Sequence, residues 1–244
     1  MKIITLVFLV ITSLSTSAQE SVLLRLNYTQ GDKYVVEEES AQSMGFHGET
    51  KMNMTMEMTV TEVTAKNIKT ESKVTSVVSN LMQAGMTISY DSNKKDEELD
   101  DMAQMMKLKY DPMMKVTIHT TLDKIGNMIE AKIEPAIPGM EQLTGNTSTL
   151  QYPVEEVSIG SSWNSEVENQ GIKMNTIYTV SNIANGIVTL DISGDVSGTG
   201  TGTIEGIITI DIDSGIKTSA VLEVTVSTQG VEMNITSKKT MTKI

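Results

Sequence analysis

Met52, Met54, Met56 and Met58 stand two residues apart, separated by the polar Asn53, Thr55 and Glu57. Alternation of period two is the pattern of a half-buried strand, so the four thioethers are expected to share one face as a ladder. Two chemistries suit such a face. Methionine is unbranched and polarizable, so it conforms to varied apolar shapes, either as a soft core or as the wall of a groove for a flexible hydrophobic ligand. Thioether sulfur also prefers Cu(I), and His47 lies five residues before the ladder. Alternate positions on one strand are about 7 Å apart, however, so two of these sulfurs span a single ion poorly. No resident metal or cofactor is expected. The candidate ligand-binding set is Met52, Met54, Met56 and Met58 on the strand, with Met102 and Met106 capping them from a helix.

Other chemistry finds little support. Histidine is limited to His47 and His119, cysteine is absent, and neither G-x-S-x-G nor H-E-x-x-H occurs. No catalytic residue is nominated, and the protein is expected not to be an enzyme. Gly198, Gly200 and Gly202 alternate with threonines, which is not the spacing of a phosphate loop. On a strand they leave a bare strip that another element or a ligand can approach closely. Asp211-Ile212-Asp213-Ser214-Gly215 opens like a calcium loop but lacks the distal Glu, and a turn between strands accounts for it.

The elements that must position these residues are mostly strands. Val22–Tyr28, Met52–Val60, Val116–Thr120, Ile187–Ile192, Ile204–Ile212 and Val221–Val226 alternate apolar with polar residues. Turn residues separate them at Gln30-Gly31-Asp32, Asn185-Gly186, Asp213-Ser214-Gly215 and Gln229-Gly230. One amphipathic helix is predicted over about 94–109, capped by Ser92 or Asn93, with Leu99, Met102, Ala103 and Met106 on its apolar face.

The two halves of the chain resemble each other. Gly31-Asp32-Lys33-Tyr34 answers Gly160-Ser161-Ser162-Trp163, and Thr59–Val63 answers Thr179–Ile183. Thr87–Asn93 is matched to Thr209–Gly215, giving offsets of 129, 120 and 122 residues. A duplicated β unit is the economical reading, with the helix inserted in the first copy. The expected division is a signal peptide at 1–18, repeat one at 19–135, a linker at 136–152 and repeat two at 153–244.

Lys2, the apolar run Ile3–Ile11 and Thr16-Ser17-Ala18 have the order of a cleavable export signal. That run is shorter than the about 20 residues a spanning helix needs, and no integral membrane segment is expected. With no lipoprotein cysteine at the junction, the expected location is periplasmic or secreted. Without Lys2 the chain carries 18 basic and 31 acidic residues, a net charge of −13. Such a field repels nucleic acid, so no nucleic-acid partner is expected.

The order G-x-x-Y at Gly31–Tyr34, Met/Thr strand, Asp91-Ser92-Asn93 turn, helix, Tyr152-Pro153-Val154, Gly160–Trp163 and Ile210–Gly215 resembles an uncharacterised family of exported bacterial proteins, a domain of unknown function. That resemblance implies no activity and no site residues. A looser likeness is to the periplasmic lipoprotein carriers, whose curved antiparallel sheet holds acyl chains under a helical lid.

The expected fold is mainly β: two related antiparallel repeats forming a curved sheet, clam or half-barrel, with the helix across one face. The expected function is non-catalytic binding of a lipid or acyl chain in the Met-lined groove. The alternative is a structural or protein-interaction module of the cell envelope, in which the Met face is core and the partner is an envelope protein. The two differ in volume. A groove of about 300 Å³ or more along the ladder favours binding, and a filled face favours the module.

Overall fold

The computed structural model describes residues 20–45, 48–138, 140, 150–169, 171–228 and 230–244. The expected signal peptide, His47 and most of the expected linker lie outside the described residues.

Alternating sequences form strands here, and hairpin turns order them. In the first half these are β1 (Ser21–Val22), β2 (Lys33–Ser43), β3 (Glu49–Val63), β4 (Asn67–Gln83), β5 (Met86–Asp91), β6 (Thr117–Asp123) and β7 (Met128–Glu134), with helix α1 (Asp101–Met114) between β5 and β6. The second half contains β8 (Val157–Ser158), β9 (Ser162–Asn169), β10 (Ile172–Ala184), β11 (Ile187–Gly198), β12 (Thr201–Asp211), β13 (Lys217–Thr228) and β14 (Val231–Lys243). All but β1 and β8 join one antiparallel sheet in the order β7-β6-β4-β3-β2-β14-β13-β12-β11-β10-β9, with β5 on β4. The sheet is curved and not closed into a barrel, since β7 and β9 remain edges.

The last strand makes the two halves one sheet. β14 pairs with β13 on one side and with β2 on the other, from Asn234 opposite Ser43 to Lys243 opposite Tyr34. Apolar residues that alternate along each strand therefore meet across the whole concave face. One core draws Tyr34, Val60 and Ile68 from the first half together with Tyr178, Val188, Leu190 and Ile210 from the second.

Equivalent backbone bonds mark the duplication. Gly31 N donates to Val60 O and Gly160 N to Val180 O, each at 2.8 Å. β-bulges fall at Val60/Glu62 and Val180/Asn182, then again at Thr121/Leu122 and Thr209/Ile210. The Asp211 turn has its counterpart at Asp123, not at Asp91–Asn93 as the sequence match had it. Asp211 N bonds Ile216 O at 3.0 Å as Asp123 N bonds Asn127 O at 3.0 Å. The offset thus drops from 120 at Val60–Val180 to 88 at Asp123–Asp211, so copy one carries 32 more residues there.

Those extra residues interrupt a strand. β5 runs beside Val78–Gln83 of β4 and β6 beside Asn67–Ser72, on the same side of β4. Together they occupy one sheet position, and α1 is looped out between them.

Val22–Tyr28, expected as a strand of the sheet, instead plugs one end of it. Val22, Leu24 and Leu26 are buried while Leu23 is exposed, so period two survives. The backbone bonds go to turns of both halves: Leu26 N to Lys124 O at 2.9 Å and Asn27 N to Ser214 O at 2.8 Å. The segment before the second copy bonds the same two turns, with Tyr152 N donating to Ile125 O at 2.8 Å and Tyr152 Oη to Gly215 O at 2.7 Å. β1 and β8 pair the two lead segments to each other.

The glycine strip serves this curvature. Gly202 sits opposite Val196 and Val226, and a Cβ there would overlap the carbonyl oxygen of Thr225. The element that approaches the strip is the neighbouring strand itself. Gly202→Ala must move that backbone and is expected to cost about 2 kcal/mol. Urea unfolding checks this, and a change under about 0.5 kcal/mol, the range of an ordinary surface substitution, would mean the strand yields freely.

Candidate binding surface

Strand pairing places the methionine ladder between β2 and β4, on the face that α1 covers. Met58, Met56, Met54 and Met52 oppose Tyr34, Val36, Glu38 and Ser40 of β2. On β4 they oppose Ser72, Val74, Val77 and Ser79. All four methionines are half-buried. A bulge between Thr55 and Met56, found only in the first copy, marks the place where β5 ends and α1 departs.

The inserted segment starts with a single 3-10 turn at Asp96–Glu98 and becomes α-helical at Asp101. Asp100 is the N-cap, its carboxylate accepting from Ala103 N at 2.8 Å, a bond that satisfies one of the four free N–H groups of the first turn. Lys107 ties the turn to the helix by pairing with Asp96. The helix thus begins and ends later than the predicted 94–109. It runs through Pro112, whose missing N–H falls in the last turn.

The face that α1 turns to the sheet is built on Ala103, Met106, Tyr110, Met113 and Met114. Of these, Met106, Tyr110, Met113 and Met114 pack with Met52, Met54, Met56, Val74, Val77 and Tyr90 into a second, smaller core. Tyr90 and Tyr110 stack with ring centres 5.7 Å apart and planes at 18°. Ser79 and Tyr110 share a buried hydroxyl–hydroxyl bond of 3.1 Å, and Tyr90 Oη donates to Asp111 at 3.2 Å. Burial first, and then that bond, pushes the Tyr90 phenol up to about 12.

Met52, Met54, Met56 and Met106 are therefore brought together. Met58 packs against the larger core beside Tyr34. Met102 is turned away and 46% exposed, because the packed face is centred one position further round the helix. With Met82, Met86, Met105 and Leu108 it leaves the outer side of this region apolar and in solvent. Tyr90 and Tyr110 were missed by a search for methionines. The signal for Tyr110 was its spacing of seven from Ala103 and four from Met106, past the predicted helix end.

Two concavities stand out elsewhere. A polar groove of about 280 Å³ on β4, β6 and β7 holds His119, with Nδ1 3.5 Å from Glu71 and Nε2 3.6 Å from Glu134. Among the described residues, no group of three or more His, Asp or Glu is arranged to hold a metal ion. The other is an apolar cavity of about 110 Å³ at the plugged end, walled by Leu26, Leu122, Leu150 and Met241 and also lined by Lys217 and Lys239. Burial, and then the nearby Lys239 charge, pushes the Lys217 ammonium down to about 8. Neither concavity is lined by the ladder methionines. No described helix is long and apolar enough to cross a membrane.

No family model matches the chain, and no curated protein matches it, in keeping with a resemblance that brought no assigned activity. Among solved structures it is similar to one of lipovitellin, described for its lipid–protein interactions, at a TM-score of 0.54 and 12% identity. The match covers 89% of this chain and 25% of the lipovitellin chain, so this protein spans about a quarter of that chain's length. At that identity the likeness is one of fold: a large, open, curved antiparallel β-sheet.

Proposed function

We propose that this is an exported, non-catalytic protein that takes up a hydrophobic molecule, a lipid or acyl chain, between the sheet face and α1. The observation that carries the reading is methionine on both sides of one interface. Met52, Met54 and Met56 of the sheet meet Met106, Met113 and Met114 of the helix, and few polar bonds hold the two together. Flexible side chains of this kind repack around a guest with little strain. The fold likeness to lipovitellin, a protein described for its lipid–protein interactions, is compatible with it. In the state described, α1 fills the face, so uptake requires the helix to lift.

The filled face also favours the second reading, an envelope module in which these methionines are only core. Native mass spectrometry of protein purified without detergent separates the two. A lipid-sized adduct is expected, and Met54→Asp with Met56→Asp is expected to abolish it while far-UV circular dichroism stays β-rich. A bare mass from the unaltered protein, or an adduct the double variant retains, refutes uptake at this face.

A further inference from the structure

We propose that the cavity at the plugged end is a binding site for a carboxylate with an apolar tail, with the Lys217 ammonium as its counter-charge. Three observations converge on it. The walls are apolar and come from both halves of the chain: Leu26 and Leu150 from the two lead segments, Leu122 from β6 and Met241 from β14. Lys217 is half-buried on the cavity wall, and among the described residues its ammonium makes no hydrogen bond or ion pair. Lys239, the second cation lining the cavity, is paired only loosely, with Glu38 at 3.7 Å. A buried charge is ordinarily paired, because leaving it unpaired costs several kcal/mol of desolvation. An anion entering the cavity supplies the missing partner.

The lining selects the kind of anion. A phosphate presents three or four oxygens that each need donors, and this cavity is mostly hydrocarbon. A carboxylate needs far fewer, and Lys217, Lys239 and Ser219 lie along the wall to meet it. The volume of about 110 Å³ is a little under the ~150 Å³ that holds a benzene ring, so it accommodates a carboxylate and a short stretch of chain. The formal net charge of −12 repels anions at long range, but that field is screened within about 10 Å at 0.1 M salt, and inside the cavity the two ammonium groups dominate. None of the ladder methionines lines the cavity, so this inference does not rest on uptake under α1.

The test is calorimetric titration of the full protein with sodium hexanoate, hexan-1-ol and inorganic phosphate. Hexanoate is expected to saturate below ~10 mM. Lys217→Met, which keeps the side-chain length and removes the charge, is expected to weaken hexanoate about tenfold or more and leave the weak binding of hexan-1-ol unchanged. The Met54/Met56 double aspartate variant is expected to bind hexanoate normally, which separates failure of this site from failure of the methionine face. Affinity that stops rising beyond hexanoate marks a short free acid as the source, and affinity still rising at dodecanoate marks a lipid. No saturation by hexanoate, equal affinity in Lys217→Met, or phosphate binding as tightly as hexanoate overturns the proposal.

Discussion

Leu24→Ala is expected to destabilise the whole molecule by about 3–4 kcal/mol and to unfold both halves in one transition. Leu24 has no solvent exposure and lies in a lead segment with little regular secondary structure, so a reading by element would rank it low. Its neighbours come from both copies: the same core contains Ile68 and Val60 from the first and Val188 and Ile210 from the second. The lead segment also bonds the β6–β7 turn through Leu26 and the β12–β13 turn through Asn27. Deleting three carbons there leaves a cavity that two sets of strands share, and neither set can relax into it alone. Urea unfolding followed by Trp163 fluorescence and by circular dichroism checks both parts. Trp163 belongs to the second half, stacked on Tyr178 with ring centres 5.7 Å apart. Two separated transitions, or a loss under about 1 kcal/mol, would mean the plug is peripheral.

Lys217→Met is expected to stabilise the ligand-free protein by about 2–3 kcal/mol at pH 7, the opposite sign from most core substitutions. Burial against the cavity wall, and then the Lys239 charge, place its folded pKa near 8, against 10.5 in the unfolded chain. Between those values the unfolded chain binds more protons than the native protein, so the unaltered protein gains stability as pH rises through this window. Below pH 8 the penalty is present in full, and above about pH 10.5 it has vanished. The advantage of the variant should therefore be greatest at pH 7 and close to nil at pH 10.5. The phenols of Tyr28, Tyr34, Tyr90 and Tyr152 are all pushed up, mainly by burial, and their ionisation costs stability at high pH. Both proteins share that cost, so the difference between them isolates Lys217. A difference that stays constant from pH 7 to 10.5 would show that the ammonium is not desolvated. A charge that weakens the empty protein, on the wall of an apolar cavity, agrees with a role that needs an anion.

Much of the fold was legible because strand geometry is local. Period two follows from the backbone of each strand, so Met52–Val60, Ile187–Ile192 and Val221–Val226 could be read without knowing their neighbours. The duplication was legible in its first two matches, Gly31 with Gly160 and Thr59–Val63 with Thr179–Ile183. It failed at the third because α1 interrupts the equivalent strand. Similar residues at Asp91–Asn93 then stood in for the true counterpart at Asp123. Strand alternation also misplaced Val22–Tyr28, since burial at one end of a curved sheet imposes the same period as membership in it.

The candidate surface was legible in part. Met52, Met54 and Met56 share a face as their spacing requires, and Met106 meets them. Met102 does not, because a helix of this composition carries methionine on more than one side and only contact with β4 and β5 chooses between them. Lys217 gave no sign at all: in sequence it is one lysine beside a turn. By itself the sequence determined most of the strands, their alternation and the presence of the helix, because those depend on neighbours a few residues away, together with two of the three repeat matches. The tertiary structure decided which faces close on each other, through pairings such as Lys243 with Tyr34 that join the far ends of the chain. Only such long-range closure sets a lysine beside a turn on the wall of an apolar cavity and a loop leucine in the centre of a core.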